Sequence, residues 1–184
     1  MAIYFISDTH FNHANVIAYS SRPFADVPTM NEALIAAWNE VVSPSDTVYH
    51  LGDFAMGDRT LIPAILARLN GNLIMVAGNH DNKRDDKYFA NTPIRPEALM
   101  LEIEGLRVEC IHSPYQVQGL GDIALCGHVH EKWAYRAAGV EVPAYEAREH
   151  SDAACTKSVP IYNVGVDVRG YRPRTLAEIM DAHV

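Results

Sequence analysis

Short apolar runs with the composition of β-strands recur along the chain, and five of them end at polar residues. The runs cover residues 2–6, 47–51, 73–77, 107–111 and 123–126. They lead into aspartate, asparagine and histidine side chains, which are common ligands of transition metals. Ligands of open α/β sheets usually bind at the rim where strands end. We therefore expect these polar side chains to meet at one edge of the fold.

Between the first strands, apolar residues recur at the spacing of an amphipathic α-helix. Met30, Leu34 and Trp38 share one helical face, with polar residues opposite. The predicted helices cover residues 14–19, 30–41, 59–69 and 176–182. The alternation of strands and helices predicts an α/β fold, and the lack of an internal linker predicts a single domain over residues 1–184.

The second half of the chain is richer in strands. Residues 99–104 and 107–111 flank a turn and predict a β-hairpin, and residues 161–168 predict a further strand. Residues 131–160 lack a clear periodicity, which is typical of an irregular functional loop or insert. Two interpretations of this segment stay open. It covers the site or contacts a second subunit in a homodimer, or it is a solvated surface excursion.

Composition and charge narrow the class of protein. A chain of 184 residues with 48% apolar residues can build one domain with a sizeable core. No apolar stretch approaches the 18 residues of a membrane span, and the N-terminus lacks the pattern of a secretory signal. We interpret the three cysteines as free thiols, which indicates the cytoplasm. The net charge of −8 argues against stable binding of long nucleic acids but not against a nucleotide substrate.

The polar residues after the strands have the chemistry of a two-metal site. Asp8 and His10 are two residues apart on an extended segment, so both side chains can point to one ion, and the same holds for His128 and His130. Asp53 is suited to bridge two ions. Two carboxylates and a hydroxide leave two divalent ions with a net charge of about +1, which favours an anionic phosphate ester.

The identity of the ligands also limits the metal. Asn79 supplies a neutral amide oxygen, and His112 adds a further imidazole to the set. Imidazole-rich ligation suits Mn, Fe, Zn, Ni or Co better than Mg or Ca. We expect two divalent transition-metal ions, with manganese favoured.

Five ordered motifs resemble those of the calcineurin-like metallophosphoesterases. They are Asp8-x-His10, Gly52-Asp53, Gly78-Asn79-His80-Asp81, His112 and Gly127-His128-x-His130. Each motif alone is weak evidence, but five in order, each after a strand, are strong. Residues 7–13, 22–24 and 163–167 further resemble a small bacterial and phage branch of phosphoesterases. The resemblance implies a four-layer αββα sandwich, in which two mixed β-sheets are flanked by helices.

The resemblance also implies a role for each motif residue. The first ion would be held by Asp8, His10, Asp53 and His130, and the second by Asp53, Asn79, His112 and His128. A hydroxide that bridges the ions would attack phosphorus. His80 would stand next to the leaving oxygen as a proton donor, and Asp81 would hold the other nitrogen of its imidazole.

Three residues near the first motif are candidates for substrate binding. Asn12 and His13 would contact the substrate, or else cap the short helix that follows them. Arg22 would clamp a phosphate, although many arginines simply lie on the surface. His50 lies inside a strand and is interpreted as a hydrogen-bonded core residue.

Three functional hypotheses follow. The favoured one is a phosphoesterase with a dinuclear metal centre that hydrolyses a small phosphodiester or nucleotide. A diester is favoured over a monoester because no dense basic pocket for a phosphate dianion is visible in the sequence. The second is a nuclease or nucleic-acid end-processing enzyme of the same superfamily. The third is a catalytically silent protein-binding scaffold, like the retromer subunit that resembles these enzymes. The presence of His80 beside a complete ligand set argues against a scaffold.

Overall fold

The computed structural model describes residues 1–81, 83–89, 92, 96–147 and 150–182. Its helices are α1 Ala14–Tyr19, α2 Val27–Val41, α3 Ile62–Leu66, α4 Val166–Arg169 and α5 Leu176–Asp181. Its strands are β1 Ile3–Ile6, β2 Thr47–His50, β3 Asn72–Met75, β4 Ala98–Ile103, β5 Leu106–Ile111, β6 Ile123–Cys126, β7 Tyr135–Arg136, β8 Glu141–Val142, β9 Tyr145–Ala147, β10 His150–Asp152, β11 Cys155–Thr156 and β12 Ile161–Asn163. Within these ranges, no helix is long and apolar enough to cross a bilayer.

The first half of the chain forms a three-stranded parallel sheet in the order β1-β2-β3. Helix α2 covers one face of this sheet because its apolar stripe packs against the strand side chains. Met30, Leu34 and Trp38 are buried there together with Val48 and Met75. The helix begins earlier than the apolar spacing predicts, since its first turn is apolar only in part and is capped by a preceding aspartate.

The second half forms a five-stranded mixed sheet in the order β4-β5-β6-β12-β7. It packs face to face on the first sheet, where Phe5 and Leu51 share a buried cluster with Val108 and Leu125. Its other face is covered by the segment that follows β5 and by the region of the predicted insert, including Trp133. The core therefore lies in three layers, one between the sheets and one on each outer face.

The structure confirms the predicted α/β class and the core of two stacked β-sheets. In detail, the three strands of the first sheet run parallel, and Arg174 adds an isolated antiparallel bridge to Phe5 of β1. Among the described elements, the outer face of the second sheet is covered by a short 3-10 helix and by the strands β8 and β11 rather than by an α-helix. The predicted irregular segment thus provides the fourth layer.

Two predicted elements differ from the structure. The strand expected over residues 161–168 ends at Asn163, because Oδ1 of Asn163 accepts a hydrogen bond from the backbone N–H of Gly165 at 2.8 Å and turns the chain into α4. The helix expected over residues 59–69 is a 3-10 helix followed by the short α3. Both segments alternate apolar and polar residues in ways that fit more than one structure.

The predicted insert at 131–160 contains short strands. β7 joins the second sheet, β8 pairs with β11, and β9 pairs with β10 as an antiparallel hairpin. Residues 148 and 149 lie outside the described ranges. The segment is anchored in the core, since Val142 is fully buried.

Candidate metal centre

Five strands end at one rim of the molecule, and the predicted metal ligands follow them. β1, β2 and β3 run parallel to one another, and so do β5 and β6, so the carboxyl ends within each set share an edge. The loops after these strands contain Asp8, His10, Asp53, Asn79, His112, His128 and His130. The structure brings all seven side chains together at this rim.

Glycines that precede the ligand candidates let the loops approach one another. A Cβ atom on Gly52 would lie 2.6 Å from Cα of Gly78 and 2.6 Å from Nδ1 of His112. A Cβ atom on Gly127 would collide with the carboxylate of Asp8. Only a residue without a side chain allows such close contact, so the glycines are part of the packing of the rim.

Five of the seven candidates have a left-handed backbone conformation. They are Asp8 (φ 56°), His10 (φ 49°), Asp53 (φ 58°), His128 (φ 75°) and His130 (φ 46°). Residues with a side chain avoid this region, and each instance costs about 1–3 kcal/mol. The surrounding structure must enforce these conformations, which is typical of side chains that are held in place for binding.

Asp8, His10 and His130 form a first donor group. One donor atom from each lies within 4.8 Å of the other two, and the rings of His10 and His130 stack at 5.1 Å. Nε2 of His10 is buried and has no hydrogen-bond partner among the described residues. A buried nitrogen in this state is costly unless something binds it. A cation at this position would satisfy it.

Asn79, His112 and His128 form a second donor group. Oδ1 of Asn79 lies 2.9 Å from Nε2 of His112 and 2.9 Å from Nδ1 of His128. Donor atoms that each lie about 2.1 Å from one ion are about 3 to 3.5 Å from one another. The two distances from Oδ1 of Asn79 are close to this spacing.

Asp53 lies between the two donor groups. Its Oδ2 atom is 3.5 Å from Nε2 of His10 and 3.4 Å from Nε2 of His112. Its Oδ1 atom accepts a hydrogen bond from the backbone N–H of His80 at 2.9 Å. Asp8 also approaches this position, since donor atoms of Asp8, Asp53 and His112 lie within 4.8 Å of one another. One buried carboxylate thus faces both groups.

In three of the four histidines of the donor groups, the ring nitrogen that points away from the group is engaged by an acceptor. The pairs are His112 Nδ1 with the carbonyl oxygen of Leu51 at 2.7 Å, His130 Nδ1 with Asp167 at 2.9 Å and His128 Nε2 with Asp152 at 2.9 Å. An acceptor on one nitrogen requires the proton there and leaves the other nitrogen free to ligate. This arrangement is common behind metal-binding histidines.

The charges at the rim favour a cation. Burial lowers the pKa of His112, but Asp53 and Asp8 outweigh it and raise the pKa to about 10. Burial raises the pKa of Asp53, but His112 and His10 outweigh it and hold the pKa well below its ordinary value. The carboxylates thus attract positive charge to the place where the donor atoms meet.

Asp81 lies between the loops that follow β2 and β3. Its carboxylate accepts hydrogen bonds from the backbone N–H groups of Asp53 at 2.7 Å, Gly78 at 2.9 Å and Phe54 at 3.2 Å. These contacts join two ligand loops, and the predicted contact of Asp81 with the imidazole of His80 is not among the described hydrogen bonds. Asp81 therefore acts on the site through the backbone.

His80 stands at the border of the centre. Its side chain is partly exposed, and its ring centroid lies 5.6 Å from that of His10. Its backbone is fixed on both sides, by Asp53 and by Arg59, which donates to the carbonyl oxygen of His80 at 3.0 Å. An imidazole at this position can reach a ligand of the centre without belonging to either donor group.

The substrate-binding candidates divide into two kinds. His13 lies beside the first donor group, with Nδ1 3.4 Å from Nδ1 of His10, and its side chain does not cap α1. Asn12 exchanges hydrogen bonds with Asn31 and donates to the carbonyl oxygen of Asp58. Asn12 therefore joins the loop to α2, and His13 faces the centre.

Arg22 is placed in the interior, contrary to a role as a phosphate clamp. Its guanidinium donates to both carboxylate oxygens of Asp167 at 2.8 and 3.0 Å and to the carbonyl oxygens of Asp8 at 2.7 Å and Thr9 at 2.9 Å. The side chains of Arg22 and Asp167 are 0% and 1% exposed. Arg22 therefore supports the carboxylate that orients His130, and a substrate has no access to it.

Two carboxylates of the centre were not predicted as site residues from the sequence. Asp167 lies in a segment that resembles the bacterial and phage branch, and this resemblance could have identified it as a site residue. Asp152 lies in the insert, where the sequence has no periodicity from which a contact with His128 follows. His50 agrees with its interpretation, because it is buried and its Nε2 atom lies 2.9 Å from Oγ1 of Thr9.

Comparison with known proteins assigns the chain to a family. A family model described as the calcineurin-like phosphoesterase superfamily domain matches residues 1–143. The chain belongs to this superfamily. The match contains all seven ligand candidates and ends inside the insert. Members of the calcineurin-like phosphoesterase superfamily are metal-dependent phosphoesterases, and the resemblance seen in the five motifs is confirmed.

Individual proteins are similar to this chain in sequence or in structure. MJ1445, an uncharacterized protein of Methanocaldococcus jannaschii, is 42% identical over 114 residues, which are 61% of this chain and 58% of that protein. The alignment thus spans little more than half of the archaeal relative. The crystal structure of AQ665, a protein of unknown function from Aquifex aeolicus, is similar with a TM-score of 0.68 and 25% identity over 98% of both chains. A novel archaeal phosphodiesterase is 22% identical with a TM-score of 0.45, over 90% of this chain and 84% of that one, which is too distant to indicate a substrate.

Proposed function

We propose that this chain hydrolyses a phosphate ester with the help of two divalent transition-metal ions, manganese being favoured. The observation that supports it best is the position of Asp53, whose Oδ2 atom lies 3.5 Å from a donor nitrogen of the first group and 3.4 Å from one of the second. A carboxylate in this position is suited to bridge two ions. The buried Nε2 atom of His10, which has no hydrogen-bond partner among the described residues, supports the first of them.

The proposed ligands follow from the two donor groups. Asp8, His10, Asp53 and His130 would hold the first ion, and Asp53, Asn79, His112 and His128 the second. When bound, the ions would activate a water molecule and neutralise charge on the phosphoryl oxygens. The chain itself provides the fixed positions, because strained loops, close glycine contacts and hydrogen-bonded imidazoles leave the donor atoms little freedom.

His80 is proposed as the proton donor of the reaction. It would hold a proton on an imidazole nitrogen and pass it to the oxygen of the leaving group, since the ring borders the first donor group at 5.6 Å from His10. Asp81 keeps the loop of His80 in place through its bonds to the backbone of Asp53 and Gly78. His13, and with less support Asn12, are proposed substrate contacts.

We favour a phosphodiester or a nucleotide over a phosphomonoester dianion. A dianion is best bound by several free cationic groups. Arg22 is enclosed with Asp167, and Arg59, which borders His80, is paired with Asp85 at 3.2 Å. These arginines are therefore already neutralised, and a substrate with a single negative charge on phosphorus is the better match.

We also propose the oligomeric state, the kind of partner and the location of the protein. The donor atoms of both groups come from one chain, so a homodimer is not needed to complete the centre. The net charge of −8 argues against stable binding of long nucleic acids. The thiols of Cys110, Cys126 and Cys155 are free, which favours the cytoplasm, and we propose that residues 1–184 act as one domain.

Hydrolysis of paired chromogenic esters tests the proposal. The purified chain is loaded with Mn²⁺, Co²⁺, Ni²⁺ or Zn²⁺, and its rates on bis(4-nitrophenyl) phosphate and on 4-nitrophenyl phosphate are compared. We expect hydrolysis that a chelator abolishes and a higher kcat/KM for the diester. Protein with bound metal that hydrolyses neither compound would contradict the proposal and favour a silent scaffold. A higher kcat/KM for the monoester would refute only the substrate preference.

A further inference from the structure

The hairpin β9–β10 of the insert lies directly on one ligand candidate of the second donor group. Tyr145 and Asp152 are opposite each other in its antiparallel register. Directly opposed residues of an antiparallel pair project to the same face of the hairpin. Both side chains contact the imidazole of His128. The hairpin thus presents a carboxylate and an aromatic ring to the same histidine.

The imidazole of His128 is held on several sides. Its Nε2 atom lies 2.9 Å from Oδ2 of Asp152, and the ring of Tyr145 meets it edge to face at 5.3 Å. The rings of His112 and Tyr115 lie at 5.2 and 6.1 Å, also edge to face. The side chain of His128 is 6% exposed, whereas that of Asp152 is 27% exposed. A solvent-accessible carboxylate therefore reaches a nearly buried ligand candidate.

We propose that Asp152 is a positioning residue for His128, and that retention of the second metal ion depends on the insert through this contact. The inference rests on the proposed two-ion function. By accepting the proton of Nε2, Asp152 keeps the imidazole in the tautomer whose Nδ1 atom faces Asn79. The carboxylate also prevents rotation of the ring. Loss of such a partner weakens metal binding about 10- to 100-fold.

The histidines of the first donor group are oriented without the insert. The imidazole of His130 is oriented by Asp167, which comes from α4 and is enclosed together with Arg22. No contact between the insert hairpin and His10 or His130 occurs among the described hydrogen bonds and ring contacts. A change at Asp152 should therefore affect one ion and spare the other.

Calorimetric titration of the metal-free chain with Mn²⁺ tests the inference. We expect two binding steps in the wild type, and in Asp152→Ala one step weakened about 10- to 100-fold while the other stays within about twofold. For Asp152→Asn we expect an affinity of this step between those of the wild type and Asp152→Ala, because the amide oxygen can still accept the proton of Nε2. Glu141→Ala, at an exposed position of the same insert, should match the wild type. Co²⁺ absorption spectra report the ligand set independently of activity.

Other results would overturn the inference. Unchanged binding of both ions in Asp152→Ala, equal weakening of both steps, or a single step in the wild type would each do so. Thermal unfolding of the variants shows whether a loss reflects the whole fold, and Asp152→Asn gives a second test if Asp152→Ala does not fold. Ester hydrolysis by the wild type is measured separately. Two bound ions without hydrolysis would contradict the proposed function, and the binding steps would still decide the role of Asp152.

Discussion

In both donor groups a carboxylate orients the imidazole of a ligand candidate, but the two carboxylates lie in different surroundings. In each, a carboxylate accepts a hydrogen bond from the imidazole of a ligand candidate at 2.9 Å. In the first group this is Asp167, paired with Arg22 in the interior, and in the second it is Asp152 on a hairpin of the insert, 27% exposed. A buried pair cannot rearrange without leaving an uncompensated charge, whereas an exposed carboxylate is readily hydrated. For the proposed two-ion centre, the comparison predicts that the first ion is held more firmly and that retention of the second depends on the insert.

Removal of the carboxylate that serves both groups should have the largest effect. In Asp53→Asn one charged oxygen between His10 and His112 is lost. We expect both ions to bind poorly and kcat/KM to fall about 10²- to 10³-fold. Metal content after desalting and hydrolysis of bis(4-nitrophenyl) phosphate measure the two effects.

Asp122→Asn is the matched control for this change. Asp122 forms an exposed ion pair with Arg107 outside the centre, so this variant should keep both ions and its activity. If Asp53→Asn retained two ions at the affinity of the wild type, Asp53 would not bridge the groups.

Disruption of the buried pair should affect the fold and the first group. In Arg22→Met the enclosed carboxylate of Asp167 loses its guanidinium partner and keeps only the imidazole of His130, which costs about 3–5 kcal/mol. We expect this loss in the free energy of unfolding from urea titration, and weaker binding of the first ion in calorimetry. Arg68→Met, which breaks an exposed ion pair with Glu32, should cost less than about 1 kcal/mol. Equal effects of the two variants would show that the Arg22 pair has no special importance.

Because His80 lies at the border of the centre, its removal should slow the reaction without loss of the bound ions. In His80→Ala we expect kcat to fall about 100-fold, because a proton donor is lost. Both ions should remain, since the imidazole belongs to neither donor group. A leaving group of lower pKa needs less proton donation, so a series of aryl diesters should show a smaller defect for the better leaving groups. Loss of an ion in this variant would reveal His80 as a ligand.

The parts of the centre differ in how far sequence predicts them. The ligand candidates Asp8, Asp53 and His112 were predictable because each directly follows a strand, and strand ends share a rim. The interior position of Arg22 was not, because it depends on a residue 145 positions away that lies on a helix where the pattern favoured a strand. Asp152 could not be predicted because no local pattern determines how an irregular insert folds back.

The partners of the Asp81 carboxylate could not be predicted from the sequence either. Its spacing from His80 fits a contact between the two side chains, and the sequence alone offers no reason to prefer another partner. In the structure the carboxylate instead accepts from the backbone of Asp53 and Phe54, 28 and 27 positions away. Backbone donors are available at every residue except proline, so such contacts leave no trace in residue identity.

The smallest predicted effect concerns a histidine outside both groups. His50 is fully buried with only a hydroxyl, Oγ1 of Thr9, on its Nε2 atom, and burial lowers its pKa to about 3. The unfolded chain, with an ordinary pKa of 6.5, binds this proton more readily, so the contribution of His50 to stability falls as the pH drops from 6.5 towards 3. Between pH 7 and 6 we expect a loss of about 0.7 kcal/mol from this residue. In metal-free His50→Gln that part of the pH dependence of urea unfolding should vanish, although the lost hydrogen bond lowers stability at every pH. An unchanged slope in this variant would mean that His50 is not the group that is protonated on unfolding.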